Sequence, residues 1–276
     1  MIPKKIHYFW IGGTPKPESV IYCIESWKKF CPDYEIIEWN ETNYDFTKNE
    51  YMRQALEAKK WSFVTDFARL DVIYQHGGIY FDTDVELLGN IDHLLESGAF
   101  FGFDRPKDTS KNNVNTGEGF GAEACHPVLK EMMEVYSDRQ FVKPDGSYDF
   151  TPTPLYTTKC LQRRGLENRN ADQRLSEGIT IYASDVLCPK SFGETKLHLT
   201  ERTVSIHHFD ATWLDGDLKR KHERSCRINE MFGEKLGFRI DRMVNDVEYL
   251  RNALTRTVRN WLRNDEERAQ FKTKKR

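Results

Sequence analysis

The chain has 276 residues, enough for one large domain or two small ones. With 38% hydrophobic and 13% aromatic residues it can build a core, which excludes global disorder. A formal net charge of −2 supplies no global field to draw it onto nucleic acid. Charge is nevertheless uneven, because 11 Lys/Arg against 6 Asp/Glu fall between Phe238 and Arg276. Six scattered cysteines (Cys23, Cys31, Cys125, Cys160, Cys188, Cys226) form no CxxC pair and read as buried thiols of a reducing compartment. The first apolar run stops at Ile11, before Gly12-Gly13, too short for a secretory segment. No stretch reaches the length of a membrane span. The expectation is a cytosolic protein.

In chain order, Ile6 to Ile11 is a short aromatic strand closed by two glycines. Pro17 opens a helix whose apolar residues Val20, Ile21, Ile24 and Trp27 recur at helical spacing. Tyr34 to Trp39 reads as a second strand. Ser62 to His76 reads as a helix with Phe63, Phe67, Leu70 and Ile73/Tyr74 on its buried stripe and Gly77 just past its end. Strands follow at Ile79–Phe81 and Ala99–Phe103. Strands alternating with helices predict an α/β sheet, mixed and mostly parallel, with helices on both faces. Ligands of such sheets sit beyond the carboxyl ends of the strands, where Trp10, Asp82 and Asp84 lie.

Arg105 to Gly121 is polar and glycine-rich and reads as one long loop. Pro127 to Tyr136 reads as helix, Thr151-Pro152-Thr153-Pro154 as a rigid turn, and Thr203 to His207 as a strand. In the last 40 or so residues, Ile240, Met243, Val244, Val247, Leu250, Leu254, Val258, Trp261 and Leu262 follow a helical period with arginines on the flanks. Such a basic amphipathic helix packs on its own protein or lies on an anionic membrane surface. The predicted division is a catalytic domain over 1–237 and a helical extension over 238–276.

The chemistry centres on Gly77-Gly78-Ile79-Tyr80-Phe81-Asp82-Thr83-Asp84. Side chains at i and i+2 of an extended chain share a face, with Cα atoms roughly 6–7 Å apart. Asp82 and Asp84 could therefore hold one divalent cation. Oxygen ligands of this kind suit Mg²⁺ or Mn²⁺, which bind through one or two carboxylates plus substrate phosphates. An isolated D-x-D can equally be a solvated turn; the buried strand before it argues for a rigid site.

Asp66 and Arg69, at i and i+3, share a helix face. They form a surface ion pair or, close in sequence to Asp82, line a pocket where Arg69 meets phosphate or sugar oxygens. Trp10 is a core aromatic or a ring on which a base stacks. His207 and His208 point to opposite sides, so that one is a core histidine and the other, taken as His208, faces the pocket and a metal.

These segments resemble the DXD-containing sugar transferases of glycosyltransferase family 32, which includes capsule and exopolysaccharide transferases and yeast mannosyltransferases and is related to the clostridial glucosylating toxins. The resemblance rests on Lys5 to Gly13, Trp61 to Arg69, Gly77 to Asp84, and His207-His208 with Trp213, and covers roughly residues 1–215. It implies a GT-A fold, a nucleotide-sugar donor and a Mn²⁺ or Mg²⁺ requirement. It implies a donor site of Trp10, Ile11, Thr65, Asp66, Arg69, Tyr80, Asp82 and Trp213. Metal ligands would be Asp82, Asp84 and His208, and the catalytic set Asp66, Arg69, Asp82 and Asp84. Where the toxins carry a serine ligand this chain has Ala211, which cannot ligate.

The resulting expectation is a metal-dependent, retaining glycosyltransferase. It would move a hexose or N-acetylhexosamine from a UDP-sugar, in preference to a GDP-sugar, to a glycan or lipid-linked acceptor in surface polysaccharide synthesis. It would be cytoplasmic, possible contact with an anionic membrane resting on residues 240–276. Two rivals remain: a metal-dependent phosphohydrolase with Asp82 as nucleophile, and a non-catalytic nucleotide-sugar binder. Phosphate release from simple monoesters would mark the first, donor binding without turnover the second.

Overall fold

The computed structural model describes residues 1–104, 112–192, 196–210, 216–233, 236–249, 251 and 254–255. Contacts divide the chain into two units. The first is Met1–Phe192 with Lys196–Leu214, the second Gly193–Thr195 with Asp215–Arg276. Sequence reading set the boundary later, at 237/238.

In chain order the elements are β1 (Lys5–Phe9), α1 (Glu18–Phe30), β2 (Glu35–Trp39), α2 (Glu50–Glu57), α3 (Trp61–His76), β3 (Gly78–Tyr80), β4 (Val85–Leu87), β5 (Ala99–Phe103), β6 (Val114–Asn115), β7 (Phe120–Ala122), α4 (Pro127–Glu134), α5 (Thr153–Gln162), β8 (Gln173–Arg174), β9 (Ile179–Tyr182), α6 (Ser184–Leu187), β10 (Ser205–His207) and α7 (Gly216–Phe232). The main sheet has the order β2-β1-β3-β7-β5-β9-β8, with β6 on β5. Strands β2, β1, β3, β5 and β9 run one way, while β6, β7 and β8 run against them. The expected mixed, mostly parallel α/β sheet is thus present. A second, two-stranded sheet pairs β4 with β10 antiparallel.

The two-residue period of a strand sends neighbouring side chains to opposite faces. Ile6 and Tyr8 of β1, Ile79 of β3 and Phe100 of β5 enter one core with Val20, Ile24 and Trp27 of α1. Phe9, Tyr80, Phe101 and Phe103 enter the other with Phe63, Phe67, Leu70 and Ile73 of α3. Helices therefore cover both faces. Ile21 is exposed at 48%, and Cys23 takes the buried place the spacing had given it. Trp27 donates its indole N–H to the Val85 carbonyl at 2.7 Å, tying α1 to β4.

Two expectations need correcting. The stretch 105–121 is not one loop: residues 105–111 lie outside the described residues, and β6 and β7 follow them. β7 sits inside the sheet between β3 and β5. The Thr151–Pro154 segment is not only a turn, because α5 starts at Thr153 with Pro152 as its N-cap. Prolines are tolerated there, since first-turn N–H groups have no helical partner. Cysteines 23, 31, 160 and 188 are buried as expected, whereas Cys125 is exposed.

Candidate functional site

Strand β3 ends on the acidic pair. Helix α3 reaches it through Gly77 (φ +63°) and Gly78 (φ +112°), where any Cβ would press on Pro3, His7 and the Lys5 carbonyl. That turn sets β3 parallel to β1 and brings Phe81 and Asp82 to the carboxyl edge where Trp10 also lies. The Asp82 N–H donates to the Gly117 carbonyl at 3.0 Å, which draws the 116–119 turn against the pair. Gly117 has no side chain because none fits. A Cβ there would overlap Asp82 Oδ2 and stand 3.1 Å from Arg69 Nη1.

Helix α3 contributes Thr65, Asp66 and Arg69, all buried. Arg69 donates to the Thr65 carbonyl at 3.0 Å and to its Oγ1 at 2.9 Å, which fixes the guanidinium. It lies 3.4 Å from Asp66 Oδ1 and 3.4 Å from Asp82 Oδ1. It also packs over the Tyr80 ring at 5.0 Å, while the Tyr80 hydroxyl donates to Asp82 Oδ1 at 2.9 Å. Structure thus favours a buried network over a surface ion pair.

Asp84 belongs to the small sheet. Pairing of β10 with β4 sets His207 opposite Val85, and His207 Nε2 lies 3.2 Å from Asp84 Oδ1. The Asp210 N–H donates to Asp84 Oδ2 at 2.9 Å, and the His208 N–H to the Asp84 carbonyl at 2.9 Å. Phe209, at φ +58°, turns the chain and lays its ring on His207 with centroids 4.0 Å apart.

One histidine therefore differs from the sequence expectation. His207, not His208, converges with the carboxylates, and Asp82, Asp84 and His207 each present a ligand atom within 4.8 Å of the others. The His208 ring turns away to Glu86 Oε2 at 2.9 Å. Sequence reading had correctly set the two rings on opposite sides. What it lacked was the antiparallel register that chooses between them.

The remaining expected residues are accounted for in the same way. Trp10 is half-buried, donates its indole N–H to the Thr14 carbonyl at 2.7 Å, and carries the Lys16 ammonium 5.7 Å from a ring centroid. Ile11 is buried in the core beside it. Trp213 lies outside the described residues.

Electrostatics favour a cation. Burial pushes the Asp82 carboxyl upward, with Arg69 and His207 acting against it. Burial raises Asp66 likewise, against Arg69. Burial also opposes the charge on Asp84, but the neighbouring His207 prevails and pulls it down to about 2. Burial disfavours charge on His207, and Asp84 overrides it, so its pKa is raised. One buried carboxylate, Asp66, and two part-buried ones, Asp82 and Asp84, thus share one guanidinium and one imidazole. The residues fit a divalent ion: two carboxylates plus one imidazole form a compact, mainly oxygen donor set for Mn²⁺ or Mg²⁺.

Residues 17–101 match the family model described as a glycosyltransferase sugar-binding region containing a DXD motif. The resemblance read from the sequence is borne out, and of the segments that suggested it Trp61 to Arg69 and Gly77 to Asp84 fall within the match. An uncharacterized glycosyltransferase, L373, of Acanthamoeba polyphaga mimivirus is 31% identical over 135 residues, covering 47% of this chain and 53% of that protein. Inositol phosphoceramide mannosyltransferase 3 of Schizosaccharomyces pombe is 28% identical over 136 residues, covering 48% of this chain and 36% of that protein. The chain spans at most about half the length of these curated relatives. Among solved structures, the PaToxG glycosyltransferase superposes with a TM-score of 0.43 at 19% identity, over 59% of this chain and 69% of that one. The match ends within β5, so β7 and β10, which complete the geometry described above, lie beyond it.

Proposed function

We propose that the protein transfers a sugar from a nucleotide-sugar donor, with Asp82, Asp84 and His207 holding a divalent cation. The observation that carries this reading is the convergence of those three side chains beside Arg69, on a segment matching a DXD sugar-binding region. Imidazole nitrogen in the donor set favours Mn²⁺ over Mg²⁺.

The chain's own residues divide the work. Trp10 offers a face for the base, a contact worth about 1–3 kcal/mol per stacked base. Asp66 accepts hydrogen bonds from donor-sugar hydroxyls. Arg69 and Tyr80 lock the Asp82 carboxylate in one rotamer. A bound divalent ion supplies neutralisation of the charge that builds on the departing diphosphate. The acceptor hydroxyl attacks the anomeric carbon on the leaving-group side, the sugar–phosphate bond breaks with its electron pair going to the diphosphate, the hydroxyl proton passes to an oxygen of that diphosphate, and configuration is retained. UDP is favoured over GDP by analogy with the toxins. The proposed acceptor is a glycan or lipid-linked glycan of surface polysaccharide synthesis, handled on the cytoplasmic side.

Asp82 is a poor nucleophile here, because Tyr80 and Arg69 already occupy its oxygens. That argues against the phosphohydrolase. The test is nucleotide release over a panel of UDP- and GDP-sugars, with and without Mn²⁺. One donor should turn over only with the ion, and Asp84→Ala should lower its rate by about 100-fold or more with the fold intact. Turnover indifferent to chelation would overturn the reading, and an inverted product by NMR would remove its stereochemical part.

A further inference from the structure

Glu118 is fully buried, and neither of its carboxylate oxygens has a hydrogen-bond partner. An unpaired buried carboxyl is among the costlier things a fold can keep. It sits in a space made by Gly102, where a Cβ would lie 2.8 Å from Glu118 Oε1, with Leu187 as a wall. Cys188 is close by but donates its S–H to the Lys190 carbonyl at 3.1 Å, which leaves the carboxyl unsatisfied. A Glu118 oxygen, Cys188 Sγ and a His207 ring nitrogen lie within 4.8 Å of one another. His207 spends Nε2 on Asp84, and its Nδ1 is also buried and without a partner. Two orphaned groups, an acceptor and a potential donor, thus belong to residues of one buried cluster that shares His207 with the acidic pair.

We propose that Glu118 is a positioning residue that takes the Nδ1–H of His207, so that Nε2 is the nitrogen held beside Asp82 and Asp84 and free to give its lone pair to an ion bound there. A ligating imidazole needs its second nitrogen held in this way, which sets both tautomer and ring orientation. Glu118 arrives from the same turn as Gly117, so a single segment braces Asp82 through a backbone carbonyl and His207 through a carboxylate. The proposal deepens the metal-dependent reading above and rests on it.

The experiment compares the full chain with Glu118→Leu and Glu118→Gln. Replacing an unpaired buried carboxyl by an apolar side chain removes a desolvation cost, so Glu118→Leu should melt no lower than the wild type. Its affinity for Mn²⁺ alone, read by the free-ion EPR signal, should nevertheless fall about 10–100-fold. Glu118→Gln keeps one acceptor oxygen and should stay within about threefold of wild type. Proton spectra of the metal-free protein should show a downfield, slowly exchanging Nδ1–H on His207 in wild type and Glu118→Gln, and that signal should be lost in Glu118→Leu. An unchanged Nδ1–H signal and unchanged Mn²⁺ affinity in Glu118→Leu would overturn the role. So would a thiolate-to-cobalt absorption band with Co²⁺ that vanishes in Cys188→Ser, since the three groups would then form a soft-metal site of their own. If wild type binds no Mn²⁺, the functional reading fails, while the Nδ1–H comparison still decides on Glu118.

Discussion

At the scale of single residues, the site is governed by what is absent as much as by what is present. Gly117 lets the 116–119 turn close on the acidic pair, and its backbone is not in the left-handed region, so alanine would fit the chain but not the space. Gly117→Ala should displace the Asp82 carboxylate, lower Mn²⁺ affinity and turnover about tenfold or more, and leave the melting temperature within a few degrees; titration and a thermal melt check both. The carboxylates and Arg69 were legible in the sequence, because strand and helix periods place them on one edge, whereas Tyr80 entered the site only through the family resemblance. Glu118 was not, since a lone acid in a glycine-rich stretch carries no periodicity. His207 was half legible: alternation showed that only one of the pair could face inward, and the β4–β10 register, formed by residues about 120 apart, showed which.

Elements reveal where sequence patterns stop speaking. Strands β1, β2, β3 and β5 announce themselves as apolar runs. β7 does not, because Phe120-Gly121-Ala122 draws its burial from neighbours, and β6 and β8 are two residues each. Helix α5 hid behind two prolines that mark its start rather than forbid it.

His7 shows how tightly β1 is held. Its Nδ1 accepts from the Trp39 indole at 3.0 Å and its Nε2–H donates to the Gly77 carbonyl at 3.0 Å, so the neutral ring is fully satisfied between β2 and the end of α3. Burial pushes its pKa down to about 4, against the pull of the Gly77 bond. Below an unfolded value of about 6.5, the unfolded chain takes up a proton that the fold refuses. Stability is therefore complete above that pH and lost as pH falls toward 4, by about 3 kcal/mol in all. Urea unfolding at several pH values should show this slope in wild type, and His7→Gln should lack that share of it.

At the scale of the whole molecule, the second unit differs in character from the first. Residues 236–249 are helical, and Met243, Val247 and Leu254 are exposed at 68%, 65% and 66%. Arg224 of α7 holds this segment through Asp241 and Glu248, each at 3.3 Å. The rest of the expected amphipathic stretch, with Val258, Trp261 and Leu262, lies outside the described residues. No helix among the described residues is long and apolar enough to cross a membrane. Exposed apolar side chains between arginines suit an anionic surface, each basic group adding about 1 kcal/mol near it. Deleting residues 240–276 should therefore abolish co-sedimentation with phosphatidylserine-rich vesicles while donor hydrolysis persists. Equal sedimentation of both proteins would refute the membrane role.

The late pairing of β10 with β4 has a consequence for biosynthesis. On a translating ribosome Asp82 and Asp84 emerge long before Ser205–His207, so the nascent chain carries a half-built acidic hole through most of its elongation. Only the final strand of the first unit closes it. A polypeptide stalled before that strand would retain most of its scaffold yet lack the imidazole. On the metal-dependent reading proposed above, a prematurely ended chain is therefore expected to be inactive without any separate safeguard.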